Sequence, residues 1–207
     1  MRCLVYSAIV MNIVCSVGFC ITPQEALDQL MQGNQRYTKD MLLYPDLSSA
    51  RRESLKVTQS PFAVVLGCSD SRVPPELIFD QGLGALFVVR LAGNVVTPVV
   101  LDSIEYAAKY LGSSLILVMG HENCGAIKAV YEGITQDIEA LAAQITPAID
   151  GCKKRNEGIN QCVRANVQYV VKELENYPSI KRLIQQKKVQ VIGSYYSLDS
   201  GKVEIIP

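Results

Sequence analysis

The chain has 207 residues, 49% of them hydrophobic, enough for one sizeable core. Twenty basic and twenty acidic side chains cancel, and beyond the short cluster Lys153-Lys154-Arg155 no basic tract stands out. Nucleic-acid binding normally leaves a basic surplus, so that class is set aside.

The first twenty residues, MRCLVYSAIVMNIVCSVGFC, carry one early positive charge at Arg2 and then a nearly unbroken apolar run. Small residues near Ser16 and Gly18 complete the pattern of a secretory signal peptide, which predicts cleavage and a periplasmic or secreted protein. The competing readings are an uncleaved membrane anchor and a buried terminal helix. Residues 21–207 then form a single domain with no stable membrane span.

Pro23 to about Lys39 has the spacing of an amphipathic helix, with Ala26, Leu27, Leu30 and Met31 on one side and Thr22 as cap. Residues 40–58 are mixed and predict an irregular arm. Pro61–Gly67, Ala85–Leu91 and Ser114–Gly120 are short continuous apolar runs, as expected for strands covered on both faces. Helices fit 99–110, 124–132, 137–149 and 162–175. Lys188–Tyr196 predicts a fourth strand, and the closing KVEIIP a short edge strand. Strands alternating with helices predict an α/β fold: a parallel-core sheet flanked by helices, with an N-terminal helical arm.

Cysteine usage sorts into groups. Cys3, Cys15 and Cys20 belong to the leader or its edge, and Cys68 and Cys124 follow apolar runs. Cys152 and Cys162 remain, and in an exported protein they could pair. On one continuous helix they would stand about 15 Å apart, too far to bridge. Gly158 and Asn160 could break that helix and fold the halves back, so both states stay open.

In open parallel sheets, ligands collect beyond the carboxyl ends of the strands. GCSDSRVPPE lies at one such end and GHENCGA at another. Together they offer Cys68 and Cys124, two soft thiolates, and His121, the only histidine in the chain. That is a good zinc set, and three protein ligands leave the fourth position open, as catalytic zinc requires. Asp70 can compete for that position, and Arg72 can hold the same carboxylate with two prongs. Alone, a cysteine at a strand end is usually a small buried apolar residue, and a lone histidine is usually no ligand. The combination, each member after a hydrophobic run, favours a metal site. A closed structural zinc site would want a fourth permanent ligand, and a thiol redox site would want Cys-x-x-Cys, which is absent.

CSDSRVPPE, LFVVRLAGN and GHENCGAIKA, in that order, resemble the β-class carbonic anhydrases, and the similarity runs from about Gln24 to GSYYSLDSGKVEII. The resemblance implies one zinc per chain held by Cys68, His121 and Cys124, and a catalytic dyad of Asp70 and Arg72. In a closed state at low pH, Asp70 would itself become a zinc ligand. Gln59 matches the substrate-binding glutamine of the plant-type branch. Phe87 and Tyr106 match positions lining a small apolar pocket, completed by a partner chain, and Val73 could add a wall. Leu91 stands where many relatives have asparagine. The chain has no tryptophan, against the bicarbonate-inhibited branch. The expected activity is reversible hydration of carbon dioxide to bicarbonate and a proton by hydroxide that zinc makes available. Because two thiolates neutralise most of the metal charge, that activity should rise into the alkaline range. Segment 82–94 would lie at a subunit interface, so a homodimer or homotetramer is expected. The alternatives are a carbon disulfide or carbonyl sulfide hydrolase on the same fold and a non-catalytic zinc-binding module.

Overall fold

The structure, a computed structural model, describes residues 21–43 and 45–207. The expected leader, with Cys3, Cys15 and Cys20, lies outside the described residues. Helix α1 (Pro23–Tyr37) starts where the sequence indicates, with a capping box: Thr22 Oγ1 accepts from the Glu25 N–H, and the Glu25 carboxylate accepts from the Thr22 N–H. Its apolar side buries Ala26 and Leu30 completely. The arm that follows is less irregular than expected, because it holds a short helix, α2 (Ser49–Ser54), capped by Ser48. Nothing in α2 is buried, so no apolar period marks it in the sequence.

Five strands form one sheet: β1 (Ala63–Gly67), β2 (Leu86–Arg90), β3 (Leu115–His121), β4 (Gln190–Tyr196) and β5 (Val203–Ile206). Their order is β2-β1-β3-β4-β5. The first four run parallel, and β5 pairs antiparallel with β4. Every residue of β1 and β3 is buried, which is why both read as unbroken apolar runs. Strand β2 departs from that expectation. It is an edge strand, and all five of its residues are only half-buried.

The chain goes from β1 out to β2, then crosses back over β1 to β3. The connection therefore reverses direction at the carboxyl end of β1, where such sheets open a crevice for ligands. Short α3 (Pro75–Ile78) follows β1, α4 (Pro98–Tyr110) follows β2, and α5 (Gly125–Glu132) follows β3. Helices α6 (Glu139–Lys154) and α7 (Ile159–Asn176) form a hairpin, and α8 (Pro178–Gln185), not anticipated from the sequence, leads into β4.

Helix α7 lies tightly on the sheet. A Cβ at Gly120 of β3 would come within 2.6 Å of Val167, and one at Gly193 of β4 within 2.9 Å of the same side chain. Only glycine permits this approach. The hairpin also resolves the question left open by Cys152 and Cys162. Helix α6 ends at Lys154, Asn156 turns the chain at φ +53°, and Gly158 caps α7. The fold-back brings the two Cα atoms to 5.6 Å, and the cysteines form a disulfide. Closing a loop of this size stabilises the fold by about 2–3 kcal/mol.

Candidate metal centre

Parallel pairing of β1 with β3 places Gly67 opposite Met119, so the residues just beyond them, Cys68 and His121, emerge side by side. The sequence separation of 56 between Cys68 and Cys124 closes to 3.9 Å between sulfurs. His121 is the last residue of β3 rather than the first of the loop, which gives its ring the rigidity of the strand. One ligand atom from each of Cys68, His121 and Cys124 lies within 4.8 Å of the others, and all three side chains are buried.

These residues fit a zinc ion. Two thiolates on a tetrahedral zinc with bonds of about 2.3 Å stand about 3.8 Å apart, close to the spacing seen. His121 Nδ1 lies 2.9 Å from the Glu122 carbonyl, which can only accept, so Nδ1 carries the proton. Nε2 then keeps a lone pair, and it is fully buried with no hydrogen-bond partner. A buried lone pair left so is expensive unless something positive meets it. Electrostatics agree. The hydrogen bond from the Cys124 thiol holds Cys68 well below the ordinary thiol range. The same bond, together with burial and the charge on Cys68, pushes Cys124 far up. Two sulfurs sharing one proton are a pair that a divalent cation would convert to two thiolates.

Asp70 sits on the rim. Arg72 grips it with two prongs, Nε to Oδ1 at 2.9 Å and Nη2 to Oδ2 at 2.6 Å, while the Arg72 N–H also donates to Oδ1. Those bonds hold the carboxyl well below the usual carboxylate range. Asp70 Oδ2 still lies only 3.9 Å from His121 Nε2. The carboxylate thus stands beside the ligand cluster, turned toward the arginine.

The comparisons with known proteins agree with this geometry. The carbonic anhydrase family matches residues 63–203. The carbonic anhydrase of Mycolicibacterium smegmatis is 36% identical over 193 residues, covering 88% of this chain and 93% of that protein. The chain belongs to the β-class carbonic anhydrases. Two solved β-carbonic anhydrases share its fold. CcaA superposes with a TM-score of 0.71 at 26% identity, covering 87% of this chain and 95% of CcaA. The Coccomyxa enzyme, in complex with acetazolamide, gives 0.68 at 25%, covering 87% and 86%.

For a carbonic anhydrase, the remaining expected site residues divide in two. Val73 is buried next to the dyad, its N–H donating to the Asp70 carbonyl at 3.1 Å. Phe87, Tyr106 and Gln59 stand elsewhere. Phe87 pairs in register with Val64, four residues before Cys68, so it lies about 13 Å back along the sheet. Its ring stacks obliquely on Tyr106, centroids 6.3 Å apart. Tyr106 and Gln59 line an open depression of about 470 Å³ with Leu55, Lys56, Val57, Thr58 and Leu111. A single chain does not bring these three residues to the metal cluster.

Several residues that hold the site were not singled out in the sequence. Arg90, at the end of β2, donates from Nε to the Cys68 carbonyl at 2.8 Å and from Nη2 to the Asp70 carbonyl at 2.6 Å. It ties the single loop that carries both Cys68 and Asp70 to the end of β2. A lone arginine ending an apolar strand was the available signal. Glu122 ties the other loop down, accepting from Ser197 Oγ at 3.1 Å and the Asp199 N–H at 3.2 Å.

Proposed function

We propose that this chain catalyses the reversible hydration of carbon dioxide to bicarbonate and a proton, with one zinc held by Cys68, His121 and Cys124. The carrying observation is the state of Asp70: 3.9 Å from His121 Nε2, yet gripped by Arg72. A permanent fourth ligand would need no arginine to draw it off, so the arrangement favours an open catalytic centre over a closed structural one. Bound there, zinc would supply hydroxide near neutral pH, having lowered the pKa of water from about 15.7 to about 7 in three-histidine carbonic anhydrases.

The protein's own groups do the rest. Asp70, ionised across the working range, accepts a hydrogen bond from the attacking oxygen and so would aim that oxygen's lone pair at the substrate carbon. Arg72 keeps that carboxylate off the metal position. Arg90 holds the loop of Cys68 and Asp70 against β2, and burial of the ligand residues excludes bulk water from the thiolates. Carbon dioxide is small and uncharged, so its pocket needs apolar walls and a donor or two. Phe87, Tyr106 and Gln59 supply them in the plant-type manner, all three reaching the metal of a second copy. The half-exposed β2 edge is the surface that copy would cover, giving a homodimer or a homotetramer built from it.

Export completes the reading: residues 1–20 serve as a cleaved signal peptide, residues 21–207 are the mature single domain, and the protein is periplasmic or secreted. The Cys152–Cys162 disulfide supports this, since such bonds persist in oxidising compartments. The deciding experiment is stopped-flow carbon dioxide hydration from about pH 6.5 to about 9, with zinc quantified on the same protein. About one zinc per chain and activity climbing toward alkaline pH are expected. Zinc without hydration, but with turnover of carbon disulfide or carbonyl sulfide, would move the reading to a sulfur substrate.

A further inference from the structure

Helix α7 backs the metal centre through two asparagines, one on the loop that carries Cys124 and one on the turn after β2 that reaches Cys68. Asn160, in the first turn of α7, accepts from the Asn123 N–H at 2.9 Å. Asn123 immediately precedes Cys124 and holds a left-handed φ of +50°. Asn166, almost two turns further on and 1% exposed, donates from Nδ2 to the Gly93 carbonyl at 2.9 Å. Its amide orientation follows from that partner, because a carbonyl can only accept.

Gly93 is where this matters. Its N–H points at Cys68 Sγ, 3.3 Å away. Its φ is +68°, and a Cβ there would meet Ile145 Cδ1 at 3.0 Å and Ala126 Cβ at 3.4 Å. The backbone conformation favours glycine, and any side chain there would crowd Ile145 and Ala126. The same residue type brings the widest rotational freedom of any, so the turn needs something outside itself to keep the N–H on the sulfur. Asn166 holds the peptide that follows Gly93 and so fixes the turn from the far side.

We propose that Asn166 is a positioning residue for the metal centre: by holding the Gly93 carbonyl, it keeps the Gly93 N–H hydrogen-bonded to the Cys68 ligand sulfur. An N–H aimed at a thiolate draws charge from the sulfur and fixes its direction toward the ion. Partners of this kind behind a metal ligand change metal affinity by about 10- to 100-fold when removed. The inference rests on the zinc reading of the preceding section.

The test compares Asn166→Ala with wild type and with Val167→Ala. Val167 is the neighbouring residue that packs on Gly120 and Gly193 without touching Gly93. Each protein is loaded with zinc and, separately, with cobalt(II). For Asn166→Ala, zinc transfer to a chelator is expected to speed up about 10- to 100-fold, and the thiolate-to-cobalt charge-transfer absorption to shift. Asn166→Ser, which keeps a shorter donor, should fall between the two. Should the alanine variant not fold, the serine variant carries the same comparison. Val167→Ala should melt earlier but release zinc and absorb as wild type does. In cadmium-113-loaded wild type, a scalar coupling between the metal and the Gly93 amide proton is expected across the N–H···S bond. A folded Asn166 variant with wild-type zinc release and cobalt spectrum overturns the proposal. So does a Val167→Ala protein that reproduces the shift, or a missing Gly93 coupling. Wild-type protein that takes up neither zinc nor cobalt would instead overturn the metal reading itself.

Discussion

The carboxyl ends of β1 and β3 and the flank along β2 and α4 differ in completeness. At the strand ends, the groups around the ligands find their partners within one chain: Arg90 on two carbonyls, Gly93 on a sulfur, Arg72 on Asp70, with only the lone pair of His121 Nε2 left for an ion. Along the flank, Phe87 is half-buried in an edge strand, Tyr106 is 47% exposed, and Gln59 lines an open depression. The difference fits the proposed reading, in which the metal site is complete within one chain and the pocket walls wait for a second copy. A buried, preorganised ligand set can fold with its own loops. An apolar pocket wall exposed on a monomer is a surface awaiting cover.

The hardest break of that contrast is Cys124→Ala. The side chain is buried beside α5 and carries no packing that alanine would not largely replace, so the fold should survive. Zinc content should fall to near zero and hydration by at least about 1,000-fold, read by metal analysis and stopped flow on one sample. Retained zinc and activity would show that the cluster is not the metal centre.

That cluster was legible in the sequence for a physical reason. Its ligands are distinctive residue types, and each follows an unbroken apolar run that only a doubly covered strand explains. The central strands were legible on the same ground, whereas β2 shares the composition of β1 and its edge position shows only in the pairing order. The groups behind the ligands were not legible. Arg90, Asn160 and Asn166 act on backbone atoms far away in sequence, and no spacing rule says which buried asparagine faces which carbonyl. Helix α2 hid because it buries nothing. Helix α8 could have been found, since Pro178 at its first position follows a clear break at Asn176-Tyr177.

The contrast sharpens if two defective chains repair each other. Cys124→Ala destroys the metal end and leaves the flank intact. A Phe87→Ala, Tyr106→Ala double variant does the reverse, and alone should lose about 10- to 100-fold in kcat/KM while keeping zinc. If the flank serves the partner's metal, mixed dimers contain one site that is wild type throughout. Equal mixtures after subunit exchange should then recover about a quarter of wild-type activity. No recovery beyond the sum of the two parents would place the pocket within a single chain.

The smallest effect is expected from Arg72→Ala, and its signature is a pH profile. In the wild type, hydrogen bonds from Arg72 hold Asp70 well below the usual carboxylate range. A depressed carboxyl contributes its stabilisation fully above the unfolded value of about 3.9 and loses it only as pH falls through the lower folded value. Asp70 is therefore ionised throughout the working range, so a rise in activity between about pH 6.5 and about 9 is not the protonation of Asp70 and fits the water that bound zinc would acidify. Removing Arg72 lets the Asp70 pKa move back up toward the ordinary value, still below neutrality, so the charge stays. What changes is its tether. A free carboxylate 3.9 Å from His121 Nε2 competes for the open metal position. Hydroxide competes better as its concentration rises, so the variant should be about tenfold down near pH 7 and close to wild type near pH 9, with zinc unchanged. A loss of equal size at both pH values would mean that Arg72 serves the reaction in some way other than restraining Asp70.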